Sequence, residues 1–340
     1  MPKDVLIPKP SQEDEKFLDL ALRPTSFDDY IGQEKVKKNL SILIGAARKR
    51  GDPLEHILIH GPSGLGKTTL AYIISRQMNS SLRITSGTAL EKAGDLGSIL
   101  TGLNEGDFLF IDEVHRLNKS VEETLYPAME NYKLDIIIGK GNSAKTLQVD
   151  LPKFTLIAAT TRVSLLSNPF RSRFGGNYRL EFYQTKDIQQ ILGRSASLLG
   201  ISADTEALQI IAAASRFTPR TANRLLKRVR DCAQIQNATH ITTAITKEAL
   251  DLLEIDPIGL ESTDKKILTM IAKNFEGGPV GLKTIAAAIG EDDGTIEDVY
   301  EPYLMQIGFL ARTSRGRVIT KEGAAHIGIR LEKDIQSALI

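Results

Sequence analysis

One stretch, Gly61-Pro-Ser-Gly-Leu-Gly-Lys-Thr-Thr-Leu70, constrains this chain more than any other. The pattern Gly61-x4-Gly66-Lys67-Thr68 acquires meaning only between a strand that enters it and a helix that leaves it. His56-Ile-Leu-Ile-His60 reads as a buried strand, and Thr69 to Ser75 reads as a helix. Gly61, Gly64 and Gly66 remove side chains where backbone N–H groups must curl round phosphate oxygens. The helix N-terminus aims its positive end at the same anion. Lys67 then reaches the β and γ phosphates as a point charge, and the Thr68 hydroxyl ligates Mg²⁺. A chance Lys-Thr after a glycine-rich turn would leave the flanking strand and helix unexplained. The stretch is read as a nucleoside triphosphate site.

What surrounds that site is bounded by size and charge. At 340 residues the chain is long enough for two or three domains with cores of their own. Its formal net charge of +1 gives no global basic field, so any nucleic-acid surface must be local. The lone Cys232 excludes an internal disulfide and a thiolate zinc cluster, and the histidines lack metal-ligand spacing. The N-terminal segment lacks the apolar core of a signal peptide, and no run of about 18 apolar residues occurs. A cytoplasmic protein with no membrane partner is expected.

Residues 1–20, proline-bearing and of mixed charge, read as a loose arm. From 21 to 183, strand-length apolar runs alternate with helical patterns: His56–His60, Leu82–Thr85, Phe108–Asp112 and Phe154–Thr161. Such alternation predicts an α/β domain, a parallel sheet with helices on both faces and the ligand at the carboxyl ends of the strands. From 184 to 256 the strands stop, and amphipathic segments predict a small helical domain. Asp256-Pro-Ile-Gly259 reads as a linker. From 257 to 330, three short helices precede a hairpin turning at Ser314–Gly316, the pattern of a winged helix. Residues 331–340 form a tail.

Asp107-Phe-Leu-Phe-Ile-Asp112-Glu113 is a buried strand delivering two carboxylates at its C-terminal end. Asp112 suits a Mg²⁺ shell, and Glu113 suits a base that polarises the attacking water. His115 is either part of an Asp-Glu-Val-His string or a capping residue. Phe154 to Thr161 is a second buried strand ending in hydroxyls; Thr161 can hold the attacking water or merely end a strand. Arg171 and Arg173 sit at a short helix end before Gly175, where one could reach a neighbouring subunit's γ-phosphate; taken alone, they read more readily as surface arginines. Arg220 opens a helix, where a cation opposes the helix dipole and points to an anionic partner. Its stripe with Arg224, Lys227 and Arg228 could also be a solvated face.

Taken in order, Leu22-Arg-Pro24, GPSGLGKTTLA, LFIDEVHRL, LYPAMENYKLDIIIGKG, TLIAATT, RSRFG, TPRTANRLLKRVRD, TIEDVYEPYL and RTSRGR resemble the RuvB family. These are bacterial AAA+ ATPases that drive branch migration of Holliday junctions, and the likeness runs from Leu22 to Ile327. The P-loop is shared by many ATPases, whereas LYPAMEN, LDIIIGKG and Arg312–Arg317 are far more specific. The resemblance implies a P-loop AAA+ core, a helical lid and a winged helix. ATP and Mg²⁺ are the implied cofactors; a hexameric ring, RuvA, RuvC and duplex or junction DNA are the implied partners. By similarity, Leu22, Arg23, Gly64, Gly66, Lys67, Thr68, Thr69, Glu130, Asn131, Tyr132, Tyr183 and Arg220 surround the nucleotide. Thr68 and Asp112 hold the metal, Glu113 is the base, Thr161 a sensor, and Arg173 fits the finger better than Arg171. Residues 133–153 resemble the family's β-hairpin, with Ile136 and Ile138 as candidate RuvA contacts. Ser63 replaces a family proline, and Asp293 stands where many relatives have a basic residue near DNA.

The C-terminal charges add a reading of their own. Residues 311–321 carry Arg312, Arg315, Arg317 and Lys321 with no acid, whereas Glu291 to Glu301 is acidic with no base. An acidic helix cannot enter a groove lined by phosphates, so the hairpin alone should touch the DNA backbone, its three arginines projecting together. The expected function is an ATP-driven motor on double-stranded DNA. A clamp-loader-like ATPase and an ATP-switched DNA-binding regulator are the alternatives, and the latter would need a basic recognition helix.

Overall fold

The structure is a computed structural model that describes residues 21–138 and 145–331. The expected N-terminal arm, the tip of the 133–153 hairpin and the tail beyond residue 331 lie outside the described residues.

A five-stranded parallel sheet forms the core of the first domain. Its strands are β1 (Ile57–His60), β2 (Leu82–Ser86), β3 (Phe108–Asp112), β6 (Thr155–Thr160) and β7 (Gly176–Arg179), in the spatial order β2-β3-β6-β1-β7. Consecutive side chains on a strand face opposite ways, and here both ways are covered. Ile57, Ile59, Phe110 and Ile157 pack with α1 (Glu34–Arg50), α2 (Lys67–Gln77) and the following helical domain. Leu58, Leu109, Ile111 and Leu156 pack the other way, against α3 (Ala93–Thr101) and α4 (Lys119–Asn131). Strand β7 was not anticipated. Gly-Asn-Tyr-Arg has no apolar run, because this strand pairs with β1 alone and lies at the sheet edge.

Between α4 and β6 a two-stranded ribbon leaves the sheet, β4 (Lys133–Ile138) pairing antiparallel with β5 (Lys145–Asp150). The backbone of Ile136 lies opposite Leu147 and that of Ile138 opposite Lys145. After β6 comes the single-turn α5 (Asn168–Arg171).

The second domain packs α6 (Thr185–Leu198), α7 (Thr205–Ala213), α8 (Pro219–Ile235) and α9 (Thr243–Leu252) into a core continuous with one face of the sheet. Two short strands, β8 (Ser202–Ala203) and β9 (His240–Ile241), clip it together. The third domain has its own core. It contains α10 (Ser262–Asn274), α11 (Leu282–Ile289), α12 (Asp293–Thr295), a π-helical turn over Ile296–Tyr300 and α13 (Glu301–Gln306). Strands β10 (Leu310–Thr313) and β11 (Gly316–Ile319) form its wing, and α14 (Lys321–His326) follows. Gly316 lies not in the turn but opposite Thr313, and a Cβ there would stand 2.4 Å from Val280 O. The glycine is needed for that close approach to Val280, which brackets β11 from its other edge.

Candidate active site and nucleic-acid interface

The P-loop joins β1 to α2 at the carboxyl end of the sheet. Gly66 caps α2 with φ 97°, and a Cβ on it would meet Tyr30 Oη at 2.9 Å, so only glycine fits. Tyr30 and Tyr183 each donate a hydroxyl hydrogen bond to Leu65 O, both at 3.3 Å. Burial raises the Tyr30 phenol well above its usual range and pushes Tyr183 up to about 12, so both stay neutral donors. The loop is thus held from the N-terminal segment and from the entry to the helical domain at one carbonyl.

Beside the loop lies a cavity of about 480 Å³ lined by Leu22, Arg23, Gly64, Gly66, Lys67, Thr68, Thr69, Asp112, Glu113, Tyr183 and Arg220. Sequence reasoning named all of these. Lys67 is buried, and its Nζ donates to Gly61 O at 2.8 Å and Pro62 O at 3.0 Å. Burial pulls its pKa down while Glu113 and Asp112 push back. Arg220, in the first turn of α8, donates from Nη1 to Ser63 Oγ at 3.2 Å. The residue that departs from the family pattern therefore gives that arginine a partner on the loop. Arg194, which also lines the cavity, holds Leu22 in its wall, its Nη1 donating to Leu22 O at 2.8 Å.

The carboxylates stand as the sequence suggested. Asp112 ends β3, and Glu113 follows in a left-handed conformation, φ 46°, which turns its side chain away from the strand axis. Burial, with Glu113 beside it, pushes the Asp112 carboxyl up. Burial also pushes Glu113 up, but the His115 hydrogen bond and the Lys67 charge outweigh it and hold Glu113 below the ordinary range. Glu113 Oε2 accepts from Thr161 Oγ1 at 3.2 Å and lies 3.2 Å from His115 Nδ1. The same His115 nitrogen is 2.9 Å from Thr160 Oγ1. So Thr161 touches Glu113, and His115, left open between two roles, belongs to the same cluster. Sequence spacing alone could not show that β6 brings Thr160 beside residue 115.

Three residues expected around the nucleotide, Glu130, Asn131 and Tyr132, are not among those lining this cavity. Asn131 ends α4, Tyr132 caps it, and the Tyr132 ring packs edge-on to Phe154. Glu130 instead pairs with Arg173, Oε1 to Nη2 at 2.9 Å. Arg173 is likewise absent from the cavity lining.

With this geometry in hand, comparison with known proteins is decisive. Residues 22–180 match the family model "Holliday junction DNA helicase RuvB P-loop domain", 183–256 the RuvB AAA lid domain and 257–328 the RuvB C-terminal winged helix domain. A solved structure described as the Thermotoga maritima RuvB Holliday junction branch migration motor is 48% identical. It covers 91% of this chain and 99% of its own, with a TM-score of 0.85. A point mutant of Thermotoga maritima RuvB matches at the same identity and coverage with a TM-score of 0.84. The chain belongs to the RuvB family. It is a nucleotide-binding AAA+ ATPase and DNA helicase.

The winged helix of this RuvB-family chain departs from one expectation. Its three wing arginines are not all presented to solvent. Arg312 and Arg317 are direct cross-strand partners on one face of the β10–β11 ladder, where both come within 4.0 Å of Glu297 Oε1, and Arg315 sits in the turn. Arg317 is buried, with Nε 3.1 Å from Glu301 Oε1 and Nη2 2.9 Å from Glu301 Oε2, a bidentate pair. Arg312 is exposed and reaches Glu297 Oε1 at 3.4 Å. The acidic stretch thus neutralises the base of the wing and leaves Arg312 and Arg315 outermost. Its other side meets the ATPase core. Arg162, directly after Thr161, binds Asp298 Oδ1 at 2.5 Å and Gly294 O at 3.2 Å. Asp293 adds to the negative field on the same arginine. Ile136 and Ile138 lie on β4, and their side chains are outside the described residues.

Among the described residues, no helix is long and apolar enough to cross a membrane.

Proposed function

We propose that this chain is an ATP- and Mg²⁺-dependent motor that translocates double-stranded DNA to branch-migrate Holliday junctions, working in the cytoplasm as a hexameric ring with RuvA and alongside RuvC. The observation that carries the ring is the separation of Arg173 and Glu130 from the cavity of their own chain. A hydrolytic site with its water-activating cluster complete but its finger elsewhere needs a second copy to supply it. Glu130, Asn131 and Tyr132 would then border a neighbour's nucleotide rather than their own.

The residues around the cavity fit the group. The loop amides and Lys67 would hold the triphosphate. Among the described residues no cluster of three or more His, Cys, Asp or Glu side chains could hold a metal alone, so Thr68 and Asp112 would share Mg²⁺ with phosphate oxygens. When bound there, the metal would supply positive charge that offsets the phosphates. Glu113, ionised and steered by Thr161 and His115, takes a proton from the attacking water. Arg312 and Arg315 would touch phosphates, an interaction that carries no base information and suits sliding.

The test is steady-state ATPase of the full chain with a synthetic four-way junction, with and without RuvA. Stimulation by the junction that rises further with RuvA is expected. Indifference to both, with basal hydrolysis intact, would overturn the reading.

A further inference from the structure

We propose that Tyr126, oriented by Glu122 and Ser167, is the platform that positions the Arg173 guanidinium for a γ-phosphate bound by a second copy of this chain. The proposal deepens the reading above and rests on Arg173 acting in trans.

The cation is held on several sides. Arg173 Cζ lies 4.2 Å from the centroid of the Tyr126 ring. Its Nη1 donates to Pro169 O at 2.5 Å, and its Nη2 is 2.9 Å from Glu130 Oε1. Its Nε is buried without a hydrogen-bond partner among the described residues. The guanidinium therefore has one face on a ring, one edge tied to backbone and one edge on a carboxylate whose side chain is 51% exposed. Of these partners only the carboxylate is a mobile anion. Replacing it by a phosphate oxygen leaves the stack and the backbone tie in place.

The ring is fixed in turn. Tyr126 Oη donates to Glu122 Oε1 at 2.5 Å, Ser167 Oγ donates to the same oxygen, and the two hydroxyls are 3.2 Å apart. Ser167 also caps α5, accepting from Phe170 N at 3.2 Å. One turn of helix cannot sustain itself, so α5 depends on that cap and on the edge-to-face contact of Phe170 with Phe174, 5.0 Å between centroids. One carboxylate, Glu122, thus sets both the ring under the cation and the start of the helix that leads to it. An unstacked arginine would have to be ordered at each turnover; a stacked one is ordered beforehand.

The experiment uses full-length variants with junction DNA, reading kcat, KM and binding of a fluorescent ATP analogue. Tyr126→Leu keeps apolar bulk and removes the π face; kcat should fall about 3- to 30-fold, the range a partly desolvated cation–π contact supports, with KM and analogue affinity unchanged. Tyr126→Phe keeps the ring and should recover most of the loss. Glu122→Gln should show a smaller fall in kcat alone. Because a pocket with a defective finger can be served by its neighbour, mixing Tyr126→Leu with Lys67→Ala should exceed both parents, as should mixing Arg173→Ala with Lys67→Ala. Recovery for Arg173→Ala without recovery for Tyr126→Leu overturns the proposal. Recovery for neither overturns the trans reading beneath it. If Tyr126→Leu does not fold, Glu122→Gln decides: wild-type kcat, or a KM effect only, sinks the idea. A Tyr126→Leu/Arg173→Ala double variant slower than Arg173→Ala alone would also overturn it, since the ring would then act on something other than the finger.

Discussion

At the scale of single residues, the hydrolytic site separates grip from chemistry. On the proposed reading, Lys67 and the loop amides meet phosphate, whereas Glu113, Thr161 and His115 meet water. Lys67→Ala should abolish nucleotide binding. Glu113→Gln should bind normally in a filter or fluorescence assay yet lose about 10²-fold or more in turnover, as removal of a positioned base does. Wild-type hydrolysis in Glu113→Gln would assign the base elsewhere. The wing arginines separate in the same way. Arg317→Ala leaves Glu301 buried and unpaired, a loss of about 3–5 kcal/mol. It should appear as a lowered thermal midpoint of the third domain. Arg312→Ala with Arg315→Ala should cost little stability. It should flatten the plot of log DNA affinity against log salt by about 0.9 for each phosphate no longer neutralised. An unchanged salt slope would remove the wing from the DNA surface. Most of these residue types were legible beforehand, because a P-loop and a strand ending in Asp-Glu carry their chemistry in local spacing. The fate of Arg317 was not. A run of arginines without an acid looks like a phosphate surface until the fold brings Glu301 against it.

Single elements show where sequence patterning reaches its limit. Four of the five strands were readable as apolar runs, the edge strand β2 among them, but β7 was hidden by Gly-Asn-Tyr-Arg, whose edge position asks for no such run. The residue before β1 shows another kind of hidden order. His56 is buried, its Nε2 donating to Met129 O at 3.0 Å and its Nδ1 accepting from Leu156 N at 2.9 Å. It thereby ties α4 and β6 to the start of β1, a bond across 100 residues that local pattern cannot reveal. Burial holds its pKa below the ordinary value. With the folded-state value below the unfolded one, this histidine contributes stability above about pH 6.5, and the contribution is lost as pH falls through the folded value. Thermal midpoints measured from pH 8 down to 5 should fall more steeply for wild type than for His56→Gln. The variant itself should be about 1–3 kcal/mol less stable at pH 8, because two buried backbone groups lose their partner. Parallel curves would place the acid sensitivity in other groups.

On the scale of the whole molecule, the three domains are joined through arginines rather than through apolar surface alone. Arg216 of the helical domain is buried against Asp264 of the winged helix at 3.2 Å, its guanidinium 4.7 Å from the Tyr303 ring centroid. Arg162 of the ATPase core holds Asp298 of the same domain, next to Val299, whose carbonyl accepts from Arg216 at 3.2 Å. The acidic stretch read from the sequence as unfit for a DNA groove is also the face by which the wing is mounted. That second use was invisible because its partner lies 136 residues away. Asp298→Asn should leave basal ATPase within about twofold, as surface ion-pair changes do. It should reduce the ratio of junction-stimulated to basal rate; an unaltered ratio would make the contact a passive strut. The two tyrosines that share Leu65 O have a consequence for spectroscopy. The chain has eight tyrosines and no tryptophan, so its intrinsic emission is tyrosine emission throughout. Two of those fluorophores donate to a single carbonyl of the loop that grips phosphate, and proton donation to a carbonyl quenches a phenol. Any ligand that shifts the Leu65 carbonyl therefore changes the emission of both at once, which gives this enzyme a label-free optical reporter of loop occupancy.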